Sequence, residues 1–498
     1  MSELLDCVEV IEVVGDPGSV DARAIEYDSR QVGPGDIFCC LPGVVEDGHR
    51  YALEAVSKGA VGVVCERFVD GLRTVGAPVA RVREGTSRVV MAQLAAAING
   101  YPSNELFMIG ITGTNGKTTV ANLLGTVLSS SGRPTQVMGT LSSTRTTPES
   151  PELQESLAAV VESQRLDGKR HVVAMEVSSH ALAQSRVAGI RFDLAVFTNR
   201  SHDHRDYHAT MERYFEAKAM LFGPDQAAKG VVNKDDEWGK KLLEVARIPV
   251  VAVGSDSVSD VELSLGHTKF KWRGLSVETS LTGMVNVHNC LLVAETALAA
   301  GLAPEEVCEG LSKVSPVPGR MQVLSGWSEP GAKEKGVRSQ PFSVIVDYAH
   351  TPAGLCRVLD EARRLVRGDG KVVVVFGCGG NRDRAKRPMM GHVAARGADI
   401  CYLTSDNPRE EDPLEIVREV LSGVGGEVPD GGSFQVELDR RSAIAGALKD
   451  AHYGDVVVVA GKGHESTQVL KSGPVAFDDR LVSLQELSRL GFEVAGDV

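Results

Sequence analysis

The sequence is poor in aromatic residues, which make up 5% of the chain, and contains no run of 18 apolar residues. The second absence removes the expectation of a membrane-spanning helix, which needs ~20 apolar residues in succession. The opening Met1-Ser2-Glu3-Leu4-Leu5-Asp6 is acidic and has neither the basic segment nor the apolar core of a secretory leader. Positive charge is not in excess: 53 Lys and Arg face 66 Asp and Glu, a net charge of −13. That balance argues against nucleic acid as the main partner. It leaves phosphorylated small molecules open, because local basic loops decide those. The nine cysteines are scattered, with no Cys-x-x-Cys pair and no zinc-ligand spacing. Most lie in apolar runs, so they are expected to be core thiols in a reducing, cytoplasmic setting.

What is present fits a large globular chain. With 498 residues, 43% of them hydrophobic, about three domains of ~150 residues are expected. Residues 1–105 read as a small α/β unit, with strands at 37–41 and 61–65, a helix at 51–56 and a closing helix at 92–98. Residues 106–317 alternate strands (107–111, 171–177, 193–198, 229–233, 248–253) with helices, the pattern of a doubly wound sheet. Within them, 260–282 alternates apolar and polar residues with period two and predicts a short antiparallel patch. A helix at about 287–300 follows. Residues 318–498 resume the α/β rhythm with strands at 342–347, 371–376, 399–404 and 455–460. The polar stretch 328–340 reads as a surface loop.

The most specific local feature is Gly110-Ile111-Thr112-Gly113-Thr114-Asn115-Gly116-Lys117-Thr118-Thr119. An apolar run precedes it and a helical pattern follows. A strand, a Gly-rich turn and a helix are what a phosphate-binding loop requires. Lys117 can reach the outer phosphates of a nucleotide, and the Thr118 hydroxyl can ligate Mg²⁺. The strict pattern has glycine where Ile111 stands, so the loop is a variant built on Gly113-x-x-Gly116-Lys-Thr.

Other polar clusters fall at the ends of expected strands, where open parallel sheets bind ligands. Glu176 ends an apolar strand, as a Mg²⁺ ligand or a surface acid would, and Ser178 follows. Thr198 to His208 packs three histidines and two aspartates into seven residues, a metal loop or a solvated polar loop. Lys218, on a helical pattern, reads as an ordinary surface lysine. Asn233-Lys234-Asp235-Asp236 mimics a guanine-reading motif. No aspartate from 167 to 225 has glycine three residues on, so that reading is not taken up. Asp347 and His350 precede Thr351-Pro352, a cap and first residue of a helix. Gly377 to Arg384 is a glycine loop rich in arginine. Asp406-Asn407-Pro408-Arg409 leaves a strand ahead of an Asp412 capping box, and Gly461-Lys462-Gly463-His464-Glu465 leaves the last. Arginines beside carboxylates at one rim suit a zwitterionic ligand.

The ordered set of motifs resembles the Mur ligases over about residues 25–480. The likeness is strongest to the branch that adds the third residue of the peptidoglycan stem, and it takes in Asp28-Ser29-Arg30 to Asp36. It implies an α/β protein of three domains: a UDP-MurNAc-binding domain (1–105), a central P-loop parallel sheet (106–317) and a Rossmann-like amino-acid-binding domain (318–498). It implies ATP and Mg²⁺ as cofactors, with UDP-MurNAc-L-Ala-D-Glu and an amino acid as substrates. ATP falls to Gly113, Thr114, Asn115, Gly116, Lys117, Thr118, Thr119, Asn286, Arg320 and Asp347. Mg²⁺ falls to Thr118, Glu176, His204 and Lys218, the last matching a lysine that the family carbamylates. Lys117, Glu176, His204 and Lys218 form the implied catalytic set. Ser29 falls at the uridine nucleotide, and Thr146, Thr147, Ser178, Gln184 and Arg186 at the muramyl-dipeptide.

By the same resemblance Asp406, Asn407, Pro408 and Arg409 are the signature of members using meso-diaminopimelate. Arg382 and Gly461 complete the rim. The distal end of that amino acid is a second zwitterion, suited to Arg409 and Arg382 for its carboxylate and Glu465 for its ammonium. Lysine would leave an arginine unpaired. A cytoplasmic monomer with no nucleic-acid partner and no membrane insertion is expected. The sequence departs from the family at Arg145, where Asn or a neutral residue is more usual. It departs again at Arg200, His202 and Arg205, which stand for Leu, Arg and Leu. The competing expectations are a diverged paralogue, a related amide ligase such as folylpolyglutamate or cyanophycin synthetase, and a P-loop ATPase without an acyl acceptor.

Overall fold

A computed structural model describes residues 1–43, 46–143, 145–199, 210–325, 340–425 and 433–492. The 328–340 loop therefore lies outside the described residues except for Gln340, as does all of the histidine-rich stretch after Asn199, His204 included. By packing, the chain divides into two compact units. One comprises Met1–Gly113, Leu128–Thr198 and Tyr214–Ala252, the other Thr114–Val127, Asn199–Arg213 and Val253–Val498.

The first unit holds two sheets. Strands β1 (Glu12–Val14), β2 (Ala24–Glu26), β3 (Asp36–Cys39), β4 (Gly62–Cys65) and β5 (Val79–Arg81) form a sheet in the order β1-β5-β4-β3-β2. Only β1 runs antiparallel to its neighbour. Ile37 and Cys39 pack on one face of this sheet and Phe38 and Cys40 on the other. With both faces covered, the strands read as unbroken apolar runs.

Strands β6 (Phe107–Thr112), β7 (Thr135–Met138), β8 (Val172–Glu176), β9 (Phe192–Phe197), β10 (Ala227–Asn233) and β11 (Val250–Val253) form the second sheet, in the order β11-β10-β9-β6-β8-β7. The pairs from β10 to β7 are parallel. The chain leaves β6 toward one edge, returns at β8 and crosses to β9. The carboxyl ends of β6, β8 and β9 therefore lie side by side at the topological switch, where such sheets bind ligands.

In the second unit β12 (Val258–Ser264), β13 (His267–Trp272) and β14 (Leu275–Thr279) make the expected antiparallel patch. Strands β15 (Gln322–Ser325), β16 (Ser343–Asp347), β17 (Val372–Phe376), β18 (Ile400–Leu403), β19 (Ser433–Val436) and β20 (Val456–Ala460) form a sheet in the order β15-β16-β20-β17-β18-β19. Val372, Val374 and Phe376 enter one core and Val373 and Val375 the other, so helices cover both faces. This sheet is not wholly parallel, because β15 pairs antiparallel with β16. A hairpin of β21 (Thr467–Leu470) and β22 (Gly473–Ala476) follows β20. The shortness of β21 and the Gly473-Pro474 start of β22 gave no strand signal.

Six of the nine cysteines are buried as expected, whereas Cys7 and Cys308 are half-buried and Cys356 is exposed. Thr351 caps the helix Pro352–Leu365 through Gly354 N–H. Asp412 caps Pro413–Leu421 through Leu414 N–H. Among the described residues no helix is long and apolar enough to cross a membrane.

Candidate active site

The phosphate-loop sequence forms the turn its glycines predict. Gly116 has φ +85°, a backbone state that a side chain disfavours. The helix Lys117–Ser130 begins directly after it. Asn199 staples the loop: its carbonyl accepts from Thr114 N–H at 2.8 Å and its Oδ1 from Asn115 N–H at 3.1 Å. Its Nδ2 donates to the Asn115 carbonyl at 3.0 Å. In the sequence Asn199 stands only as part of a metal loop or a solvated polar loop. The Lys117 ammonium folds onto the Thr114 carbonyl, 3.0 Å away. Thr118 is buried, and its Oγ1 lies 3.4 Å from Arg320 Nη2. Arg320 stacks over the Tyr348 ring at 4.2 Å.

Two residues expected at the nucleotide are tied into the protein. Asp347 accepts from Met321 N–H at 2.7 Å and Ala349 N–H at 2.8 Å, and burial raises its pKa. Asn286 is buried on the helix Met284–Ala299 and donates to the Thr282 carbonyl at 2.9 Å.

At the end of β8, Glu176 is 1% exposed, not a surface acid. It accepts from Thr140 N–H at 2.8 Å and from Thr140 Oγ1 at 3.3 Å. A Cβ on Gly139 would fall 2.3 Å from Glu176 Oε1, so glycine is required for this approach. Lys218, on the helix Met211–Ala219, overturns the surface-lysine expectation more sharply. It is 1% exposed and donates to the Gly113 carbonyl at 2.8 Å.

Around Glu176 the expected muramyl-dipeptide residues converge. Thr147 Oγ1 donates to the Glu176 carbonyl at 2.9 Å and accepts from Ser178 N–H at 3.1 Å. Thr146 and Thr140 hydroxyls are 3.1 Å apart. Arg186 donates to Gln184 Oε1 at 2.6 Å and to the Thr147 carbonyl at 2.8 Å. Sequence reasoning missed the hub, Glu149. This buried carboxylate meets Arg88 at 3.1 Å, and Arg145 and Arg186 at 3.0 Å each. Three guanidinium groups around one carboxylate leave a surplus of positive charge. Burial lowers the Arg186 pKa, and Arg145 and Arg88 add to the effect. Ser29 is not in this network; it lies buried between β2 and β3, its carbonyl 2.9 Å from the Lys58 ammonium.

A second set gathers at the carboxyl ends of β17, β18 and β20. Asn407 Nδ2 donates to Glu465 Oε2 at 2.9 Å. Asp406 is buried, and Gly461, at φ +119°, brings the backbone against its carboxylate. Pro408 accepts from Glu411 N–H through its carbonyl. Arg409 holds the Gly380 carbonyl at 2.7 Å, and burial, then the charge of Arg382, lowers its pKa. Two arginines that repel each other suit a carboxylate placed between them. Sequence reasoning missed Arg387, which is fully buried and ties Glu411 and Glu419 to the Gly379 carbonyl. The Asn233 decoy is structural: its Nδ2 bonds the Thr198 carbonyl, and Asp236 caps the helix Glu237–Val245.

Thr118 in one unit and Glu176 in the other each carry an oxygen donor of the hard kind that Mg²⁺ takes. Lys218 is compatible with ligating a cation only if carbamylation replaces its positive charge by a negative one. Among the described residues no three His, Cys, Asp or Glu side chains group as a metal site.

The parallel sheet, its switch point and the glycine loop define a P-loop nucleotide-binding α/β protein. Comparison with known proteins narrows this. Residues 21–98 match the model of the Mur ligase family catalytic domain, 111–297 the Mur ligase middle domain and 319–463 the Mur ligase glutamate ligase domain. A UDP-N-acetylmuramoyl-L-alanyl-D-glutamate--2,6-diaminopimelate ligase of Syntrophomonas wolfei is 38% identical, covering 96% of this chain and 97% of its own. One of that name from Geobacillus kaustophilus is 40% identical over 95% and 96%. A solved structure of a ligase of the same name aligns with a TM-score of 0.64 at 30% identity, over 96% and 97% of the two chains. The fold extends to a MurF ligase of Thermotoga maritima in complex with ADP, at TM-score 0.60, 19% identity, and 94% and 97% coverage. The chain belongs to the Mur ligase family.

Proposed function

We propose that this chain is an ATP-dependent ligase that joins meso-diaminopimelate to UDP-MurNAc-L-Ala-D-Glu, a cytoplasmic step of peptidoglycan synthesis carried out by a monomer. The domains are 1–105 for the UDP sugar, 106–317 for ATP and 318–498 for the amino acid. The observation that carries the reading is the rim of Asp406, Asn407, Arg409 and Glu465 with Arg382 beside it. It offers both charge signs, as the second zwitterion of diaminopimelate requires. The surplus arginines about Glu149 support an acidic substrate at Thr146, Thr147, Ser178, Gln184 and Arg186.

A carboxylate is a poor acyl donor. Its oxygen attacks the γ-phosphorus of ATP, ADP leaves, and an acyl phosphate results. Lys117 and the loop N–H groups stabilise the transferring phosphoryl group. Mg²⁺, assigned to Thr118, Glu176, His204 and carbamylated Lys218, would neutralise phosphate charge when bound. Glu176, pinned by Thr140, keeps its carboxylate fixed at the end of β8. Arg409, Arg382 and Glu465 orient the amino acid so that its amine attacks the acyl carbon. Phosphate leaves and the amine loses a proton, giving the amide.

Phosphate release from ATP with UDP-MurNAc-L-Ala-D-Glu tests this, comparing meso-diaminopimelate, L-lysine and no amino acid. Release only with diaminopimelate, with a tripeptide product by mass, is expected. Release with lysine alone overturns the specificity, and release without either substrate favours an ATPase.

A further inference from the structure

Lys462 is a fully buried charged group with no part in the chemistry described above. It lies in the loop leaving β20, and its ammonium ties that loop to Asn407 and to the start of β21. It donates to Asn407 Oδ1 at 3.1 Å, to Glu465 Oε2 at 3.0 Å and to the Thr467 carbonyl of β21 at 2.6 Å. An ammonium has three donors, so none remains for a ligand. A burial of this kind is costly unless every bond is made, and an apolar residue would fill the space without that cost.

What the ammonium does is order its acceptors. Glu465 Oε2 is taken twice, by Lys462 and by Asn407 Nδ2, while Oε1 takes no hydrogen bond among the described residues. Asn407 Oδ1 is likewise taken twice, accepting from Lys462 and from Val469 N–H at 2.9 Å. The β21–β22 hairpin closes the arrangement, since Arg409 N–H donates to the Val469 carbonyl at 3.0 Å and Gln468 Nε2 to the Asp406 carbonyl at 2.7 Å. One carboxylate oxygen is thus anchored and the other left for a cation.

We propose that Lys462 is a positioning residue for acceptor specificity: it holds Glu465 so that Oε1 receives the distal ammonium of the incoming diamino acid. This rests on the reading of the rim as the amino-acid site. The test uses the full chain with two acceptors, meso-diaminopimelate and 2-aminopimelate, which keeps both carboxylates and lacks the distal amine. In Lys462→Met, KM for diaminopimelate is expected to rise about tenfold or more, the loss of a charge-assisted contact. The kcat value and KM for 2-aminopimelate should stay nearly unchanged. Equal losses on both acceptors would make Lys462 a structural residue and overturn the proposal. Lys462→Gln, which keeps a buried donor, repeats the measurement, with the melting temperature reporting folding; failure of both variants to fold assigns Lys462 to stability and also overturns it. Glu465→Gln separates the underlying reading. If it leaves the preference for diaminopimelate over 2-aminopimelate intact, Glu465 does not receive the ammonium and the rim itself is misread. If it abolishes that preference, and Lys462→Gln adds nothing in the same background, the two residues act as one device.

Discussion

The Lys218 ammonium donates to the carbonyl of Gly113, 2.8 Å away and 105 residues earlier in the chain. The lysine is buried as it does so. A helix-borne cation is thereby placed against the first glycine of the phosphate-loop core.

If Lys218 acts as a carbamate, its charge and not its bulk is required. Lys218→Ala is expected to lose activity ~100-fold or more, the scale of damage to a metal site's supporting groups. A short carboxylic acid added to the assay should restore part of it. Lys218→Arg, which keeps a cation and cannot carry the carbamate, should be equally inactive. Steady-state rates of the three proteins check this, and an active Arg variant would assign the lysine a cationic role.

The Glu149 cluster predicts a graded response. Arg186 is nearly buried and bonded to Thr147 and Gln184. Arg186→Ala should raise KM for the muramyl-dipeptide substrate ~10–100-fold, as expected for a lost charged hydrogen bond. Arg145 is half-exposed, and solvent screening reduces its effect to about threefold. KM for ATP should not move in either variant.

At the other rim, Arg409→Ala should lower kcat/KM for diaminopimelate by about 10–100-fold. The activity with lysine, which has no distal carboxylate, should change far less. The ratio of the two rates is the measurement, and a parallel fall in both would count against the pairing of Arg409 with that carboxylate.

Arg440 and Asp479 form a bidentate pair in which both side chains are fully buried. Removing one partner strands the other charge. Asp479→Ala should destabilise the unit that contains it by ~3–5 kcal/mol, read as a lower urea midpoint for its unfolding transition.

His464 packs against Tyr348, and burial, then the charge of Arg320, pulls its pKa down from 6.5 to about 4. Between those values the unfolded chain binds a proton that the folded chain does not. Stability should therefore fall as pH drops from 6.5 toward about 4. In His464→Gln that part of the pH dependence should vanish, which melting temperatures at pH 7 and pH 5 would check.

The strands at the centre of both large sheets were legible because they are buried on two faces and so read as unbroken valine-rich runs. The phosphate loop was legible because its chemistry is local: glycines, a lysine and a helix start, all within ten residues. Short edge strands such as β1, β7 and β15 and the β21–β22 hairpin were not, since few residues and mixed polarity leave no period to detect. Lys218 was misjudged because a charged residue was read as outward-facing, although it follows the buried Tyr214 and Phe215 at helical spacing. Glu149, Arg387 and Lys462 gave no signal either, because each also needs a partner far along the chain: Arg88 and Arg186 for Glu149, Glu411 and Glu419 for Arg387, and Asn407 for Lys462.

The sequence alone determined the α/β class, the nucleotide loop, the order of the strand-end motifs and, through them, the Mur ligase likeness. Each follows from neighbours along the chain or from a motif order that survives without coordinates. Tertiary structure alone decided which charges are buried and what each one holds: Lys218 on Gly113, three arginines on Glu149, Lys462 on Glu465 and Asn407. Apart from Lys462 with Glu465 and Arg145 with Glu149, which are local pairs, those contacts join segments distant in the chain, and burial, which sets the cost of every unpaired charge, is a property of the packed chain and not of its order.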